Sequence, residues 1–265
     1  MVNLQIKKNY SVFFFLKLLF LQTYLLKKLS LVKENFHIMK RITAMIAFVC
    51  LIFMANAQDL NRFYQDGKVG YKNNKNEIIV NPTYQAGSEM KDGIAIVVSD
   101  NKRGYINKTG KEFISLKYDD AAMFVNGLAA VKFGGKYGFI NQKAEWVIQP
   151  IYDEAHSFSE GLARVQRAGK WGFVNIKGEV AVPLTYDFAH DFSSGLAAVS
   201  IDNKFGYISS KGISIIAPQY DGAMSFKNDN TAVVNIKDES FVIDKAGKIL
   251  REVEKYEEHE KREKK

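Results

Sequence analysis

Residues 118–151 read YDDAAMFVNGLAAVKFGGKYGFINQKAEWVIQPI, and at Tyr152 the same pattern begins again. Tyr84, Tyr118, Tyr152, Tyr186 and Tyr220 stand 34 residues apart. A glycine-aromatic pair keeps that step: Gly70-Tyr71, Gly104-Tyr105, Gly138-Phe139, Gly172-Phe173 and Gly206-Tyr207. A fixed period of this length marks a stacked array in which each copy completes its neighbour's core.

One copy can be read outward from those anchors. Phe124 recurs as Phe158, Phe192 and Phe226, with Met90 in the first copy. Residues 128–133 are small and β-branched and predict a strand. Gly134-Gly135 follows, matched by Asp66-Gly67, Asp100-Asn101, Ala168-Gly169 and Asp202-Asn203. Nearly all of these accept positive φ, as a two-residue type I′ hairpin turn demands. Residues 136–141 predict a second strand, and the glycine inside it marks a bulge or a close approach of another chain segment. A second turn at 141–144 ends on glycine in sister copies (Gly110, Gly178, Gly212), and residues 146–148 predict a third strand. Pro150, like Pro82 and Pro218, closes it, because proline lacks the N–H that pairing needs. The expected fold is all-β: five to six 34-residue units, each a three-stranded antiparallel meander. An open superhelical array is favoured over a closed β-propeller, because 34 residues are few for a four-stranded blade. The last copy decays, with Asp229 in place of the loop glycine, one residue added and the glycine-aromatic pair lost. Terminal repeats face water and are usually atypical.

The ends differ in composition. From Met39 the chain carries Lys40 and Arg41, an apolar run from Ile42 to Met54, and Ala55-Asn56-Ala57, so residues 39–57 read as a signal peptide cleaved before Gln58. Cys50 does not suit a lipoprotein, because Val49 stands where a small residue is needed. A retained anchor is the alternative, although the apolar run is short of the roughly 20 residues of a spanning helix. Residues 1–38 read as an upstream extension from a misassigned start, or else as a further membrane segment. Residues 58–248 form the repeat domain. Residues 249–265 read as a charged tail and a short solvated helix, with Ile249, Val253 and Tyr256 on one face.

The whole chain has a formal charge of +8. Residues 1–57 hold eight of its 37 basic groups and one of its 29 acids, so the remainder is close to neutral. Net charge therefore gives no support to a phosphate-binding surface or to a nucleic-acid partner. Cys50 is the only cysteine, so the exported chain is expected to have no disulfide and no thiolate metal site.

Lys170-Trp171-Gly172-Phe173-Val174-Asn175 and Lys136-Tyr137-Gly138-Phe139-Ile140-Asn141 resemble the core of WG (KWG) repeats. Tyr152-Asp153 with Phe158-Ser159-Glu160-Gly161-Leu162-Ala163 resembles the second signature of the same family. Only Trp171 is the named tryptophan; Val69, Arg103, Tyr137 and Phe205 hold its slot elsewhere. The resemblance implies an exported bacterial β-repeat module for binding or scaffolding, with no catalytic residues and no cofactor to carry over.

Few residues suggest chemistry. His156 and His190 share one repeat slot, with Asp153, Glu154, Asp187 and Asp191 nearby, and are weak candidates for a divalent metal. Ser88, Ala122 and Met224 fill that slot in other copies, which favours idle loop residues. Asp119, Asp153, Asp187 and Asp221 form a ladder beside Lys102, Lys136, Lys170 and Lys204, expected to satisfy loop N–H groups and shield strand edges. The periodic aromatics are expected in the core, with stacking on sugar rings as the lesser alternative. Neither a nucleophile motif nor a phosphate loop is present. The expected role is therefore a non-catalytic module that binds a protein or glycan in the cell envelope, with a structural spacer as the alternative. Partner identity and oligomeric state are not encoded in any motif.

Overall fold

A computed structural model describes residues 60–253. The segments assigned above to the upstream extension and signal peptide, and the tail beyond Val253, lie outside the described residues.

Among the described residues six antiparallel sheets follow one another. The third is representative: Leu128–Phe133, Lys136–Asn141 and Trp146–Tyr152 form the expected meander. It has a fourth strand, Asp120–Ala121, on the free side of Leu128–Phe133. The three-stranded expectation is thus corrected for five of the six sheets. The chain leaves one sheet at Tyr118, and after Asp119 two residues pair with the next, Asp120 opposite Lys132 and Ala121 opposite Val131. A two-residue strand is how four strands fit into 34 residues. Among the described residues only the first sheet has three strands: Asn61–Gln65, Lys68–Lys72 and Ile78–Tyr84.

Turn chemistry follows the sequence closely. All five expected hairpin pairs have positive φ at both residues, from Asp66 at 49° and Gly67 at 70° to Asp202 at 50° and Asn203 at 62°. In the second turn the Asn141 side-chain oxygen accepts the N–H groups of Lys143 and Glu145, and Asn107 and Asn175 repeat the arrangement. An asparagine there closes the turn upon itself.

The glycine of each glycine-aromatic pair sits where backbones nearly touch. A Cβ on Gly138 would lie 2.5 Å from the Ile148 carbonyl oxygen and 2.7 Å from the Pro150 nitrogen. Tyr137 pairs with Tyr152 and Phe139 with Ile148, so residues 149–151 bulge over the glycine. Pro150 therefore does not end the strand, as its missing N–H suggested. It rides in the bulge, and pairing resumes at Tyr152.

Five apolar clusters each join one sheet to the next. The face toward the preceding sheet carries Ala, Val and a β-branched residue: Ala95, Val97 and Ile106 in the second sheet, and Ala163, Val165 and Val174 in the fourth, all 0% exposed. In the first sheet the same slots hold Asn61, which is exposed, and Phe63 and Lys72, which are half-buried. Among the described residues no cluster joins the first sheet to the sixth. Phe158 packs on Phe139 with ring centroids 5.0 Å apart, Phe192 on Phe173 at 4.6 Å, Phe226 on Tyr207 at 4.8 Å and Phe124 on Tyr105 at 5.0 Å. Tyr118, Tyr152 and Tyr220 are buried, whereas Tyr84 and Tyr186 are only half-buried.

The sixth sheet ends in Ile249–Glu252, paired with Glu239–Ile243. The start of the expected C-terminal helix is thus a strand. The Asp244 turn delivers these residues to the third-strand position, with Ile243 opposite Ile249. Among the described residues no helix is long and apolar enough to cross a membrane.

Candidate functional site

The polar ladder is consumed by the fold. The lysine that opens the second long strand of one sheet meets the aspartate that opens the next: Lys102 with Asp119, Lys170 with Asp187 and Lys204 with Asp221 at 2.5 Å, and Lys136 with Asp153. The other carboxylate oxygen accepts a hairpin-turn N–H, from Ala168 to Asp153, Asp202 to Asp187 and Lys237 to Asp221. Each aspartate thus ties two sheets together. The lysine hydrogen bond, then the turn N–H, holds the carboxyls of Asp153, Asp187 and Asp221 below the usual range. These pairs are exposed, and such pairs contribute little each.

The two histidines lie elsewhere, around Arg164 on the first long strand of the fourth sheet. Its Nη1 donates to the Ala189 carbonyl at 2.6 Å, its Nε meets Asp191 Oδ1 at 2.8 Å, and its Nη2 lies 3.1 Å from His156 Nδ1. The guanidinium also stands over the rings of Trp171 and Phe188, at 5.3 and 5.9 Å. His156 contacts Trp171, and His190 packs edge-on to Phe188 with centroids 5.0 Å apart. Burial first, and then the Arg164 charge, lowers the pKa of both histidines. A cation where a metal's charge would have to sit argues against the metal reading. Among the described residues no three His, Cys, Asp or Glu side chains stand close enough to hold a metal ion.

The histidine slot has a structural logic of its own. Tyr71, Tyr105 and Tyr207 donate their hydroxyls to the carbonyls of Ser88, Ala122 and Met224. Burial raises these phenols, Tyr71 to about 12. Where the aromatic is Phe139 or Phe173, with no hydroxyl to give, the slot is His156 or His190.

The family profile of the WG-containing repeat matches residues 70–102, 104–137, 137–171, 171–205 and 205–239, well over half the chain. The chain belongs to the WG-repeat family. A comparison with curated proteins returns no match. Similar solved structures include a eukaryotic initiation factor, 8% identical with a TM-score of 0.50, covering 74% of this chain and 63% of that one. Kluyveromyces lactis Hsv2 is 10% identical, with a TM-score of 0.43 and 72% of each chain covered. PorZ of Porphyromonas gingivalis, described as a bacterial surface component of the type-IX secretion system, is 8% identical with a TM-score of 0.34, over 72% of this chain and 32% of that one. At these identities the likeness concerns the fold alone.

In this WG-repeat chain, Trp171 is 7% exposed and forms one wall of the Arg164 cluster. Reading the sequence for motifs misses Arg164, Phe188 and the role of Asp191. A signal was available in the period itself. Arg62 and Arg164 occupy one slot three copies apart, and so do their partners Glu89 and Asp191. Arg62 Nη2 meets Glu89 Oε1 at 2.8 Å and its Nη1 donates to the Gly87 carbonyl at 2.6 Å, repeating the Arg164 geometry. In the copies between, Ile96 and Ala130 replace the arginine, and Met123 and Ser157 replace the acid. Arginine and acid arrive together.

Proposed function

We propose that this chain is an exported, non-catalytic binding module that recognises a protein or glycan partner in the cell envelope. One observation carries the reading. The Lys–Asp ladder is spent on bonds between sheets, while His156, Trp171, Phe188 and His190 gather in one place around the Arg164–Asp191 pair. Repeat arrays specialise by departing from their consensus on an accessible face. Phe188, His156 and His190 are partly exposed there, and an apolar ring beside a half-buried cation suits an aromatic or carboxylate-bearing partner.

The test is capture from envelope extract and on glycan arrays, comparing the native chain with a Phe188→Ala, His190→Ala variant. A saturable partner that the variant loses supports recognition. A chain that takes up no partner, or holds it equally after the change, is instead a structural spacer, the reading that the uniform Lys–Asp bridges favour.

The array is read as open and superhelical rather than as a closed β-propeller. Asn61 and Lys72 on the outward face of the first sheet support this, because they replace the apolar slots that every later sheet buries. Export rests on residues 39–57. N-terminal sequencing of exported material should begin at Gln58; residues 1–38 on that material would overturn both the cleavage site and the start-site reading.

A further inference from the structure

The exposed large apolar residues of this chain are not scattered. Most lie where the third long strand of a sheet begins, beside the second turn. One slot there is apolar in all six sheets: Ile79, Phe113, Val147, Ala181, Ile215 and Leu250. None of the six is buried, and Leu250 is 50% exposed. Neighbouring positions add Ile78, Ile213 and Ile249, which are 53%, 58% and 47% exposed. A core position repeated six times would be buried, and a free surface position would vary. This slot does neither.

The row is continuous. The turn glycines Gly110, Gly178, Gly212 and Gly247 each pack against the third long strand of the preceding sheet, and Ala144 and Trp146 join the cluster of Ile114 and Phe113. Every turn along the row carries a lysine: Lys75, Lys108, Lys143, Lys177, Lys211 and Lys245. With Lys111 and Lys248 these are eight lysines against five acids, Glu77, Glu112, Glu145, Glu179 and Asp244. Three of the acids are engaged by turn asparagines, Glu77 by Asn73 at 2.6 Å, Glu145 by Asn141 at 2.8 Å and Glu179 by Asn175 at 2.7 Å. The row therefore presents an apolar strip flanked by an excess of lysine.

We propose that this row lays the array on an anionic lipid surface. Exposed branched side chains enter the boundary between headgroup and acyl chain, and the lysines meet the phosphates. Four exposed, shallow contacts from the slot, Ile79, Val147, Ile215 and Leu250, match a surface that is uniform along its length, whereas a folded protein partner would select for differences between copies. The inference concerns a face other than the Arg164 cluster, and it holds or fails independently of the partner proposed above.

Trp146 stands next to Val147 of the row, its half-buried ring turned onto Tyr118 and Phe133, and Trp171, the only other tryptophan, is buried. A Trp171→Phe chain makes Trp146 the sole reporter. Mixed with vesicles of phosphatidylcholine and phosphatidylglycerol whose acyl chains carry bromine, its fluorescence should be quenched. Phosphatidylcholine alone should quench little, and high salt should reverse the effect. If that chain folds poorly, the native chain serves, because Trp171 is shielded. Replacing Ile78, Ile213 and Ile249 together by Ser should lower vesicle affinity about tenfold or more at an unchanged melting temperature. Replacing Lys143, Lys177 and Lys211 together by Gln should weaken only the binding to anionic vesicles. Three results would overturn the proposal: no vesicle binding, binding with Trp146 unquenched (which points to the apolar N-terminal segment), or serine substitutions that turn a dimer into a monomer, which makes a second copy the occupant.

Discussion

The third and sixth sheets start from the same repeat and differ at one decisive position. In the third, Gly138 lets residues 149–151 bulge across it, and four residues span the stretch that two occupy on the partner strand. In the sixth, Phe241 stands in the glycine slot. There Phe241 pairs with Glu252 and Val242 with Arg251 in step, so the two extra residues are gone. The lysine slot holds Glu239, and the aromatic slot holds Val242. An internal sheet thus needs the glycine, because its third strand must fold inward and bring a tyrosine to the next interface. The sixth sheet, the last among the described residues, has lost the glycine and the lysine together. The first sheet makes the complementary change, with Asn61 and Lys72 on its outward face.

The sharpest way to break this comparison is to put a methyl group in the internal slot. Gly138→Ala should destabilise by about 3 kcal/mol or more, because Cβ meets backbone atoms that no rotamer change can move. Denaturant unfolding checks it, and a near-neutral result would mean that the bulge is incidental. Phe158→Ala removes a buried ring, 4% exposed, from the interface between the third and fourth sheets and should cost about 3–5 kcal/mol. If Phe158 served sugar binding instead, stability would hold while binding vanished. Phe241→Ala in the terminal sheet should cost far less, about 1–2 kcal/mol, because that ring is only half-buried and no backbone crosses it. The smallest effect is electrostatic. Asp187→Asn should shift the melting temperature by no more than a few degrees at neutral pH, as is usual for exposed pairs. The Asp187 carboxyl is held below its ordinary value, so its contribution is present at neutral pH and fades as pH falls through the depressed pKa. Native and variant melts should therefore converge in acid. The half-buried histidines add a separate loss, since their lowered pKa values make stability decline once pH drops below about 6.5.

Legibility followed the kind of force involved. The hairpin turns could be read because positive φ at two successive residues admits few side chains, and the five residue pairs announce it. Gly138 could be read as a close approach because glycine weakens a strand and recurs inside one where a side chain has no room. The fourth strand was hidden. Asp120 and Ala121 form it through backbone pairing alone, and two residues carry no alternation to detect. Pro150 misled for a related reason: its missing N–H does end local pairing, but the strand resumes past the bulge. The Arg164 cluster depends on residues brought together from two sheets, and only the joint recurrence of Arg62 with Glu89 hinted at it.

The central claim is that each sheet is completed by its immediate neighbours, and hydrogen exchange on the Phe158→Ala chain tests it most directly. Amides of residues 128–152 and 162–186 should lose the most protection, while those of residues 61–72 and 232–243 keep theirs. Equal loss across all six sheets would contradict the claim and show one undivided core.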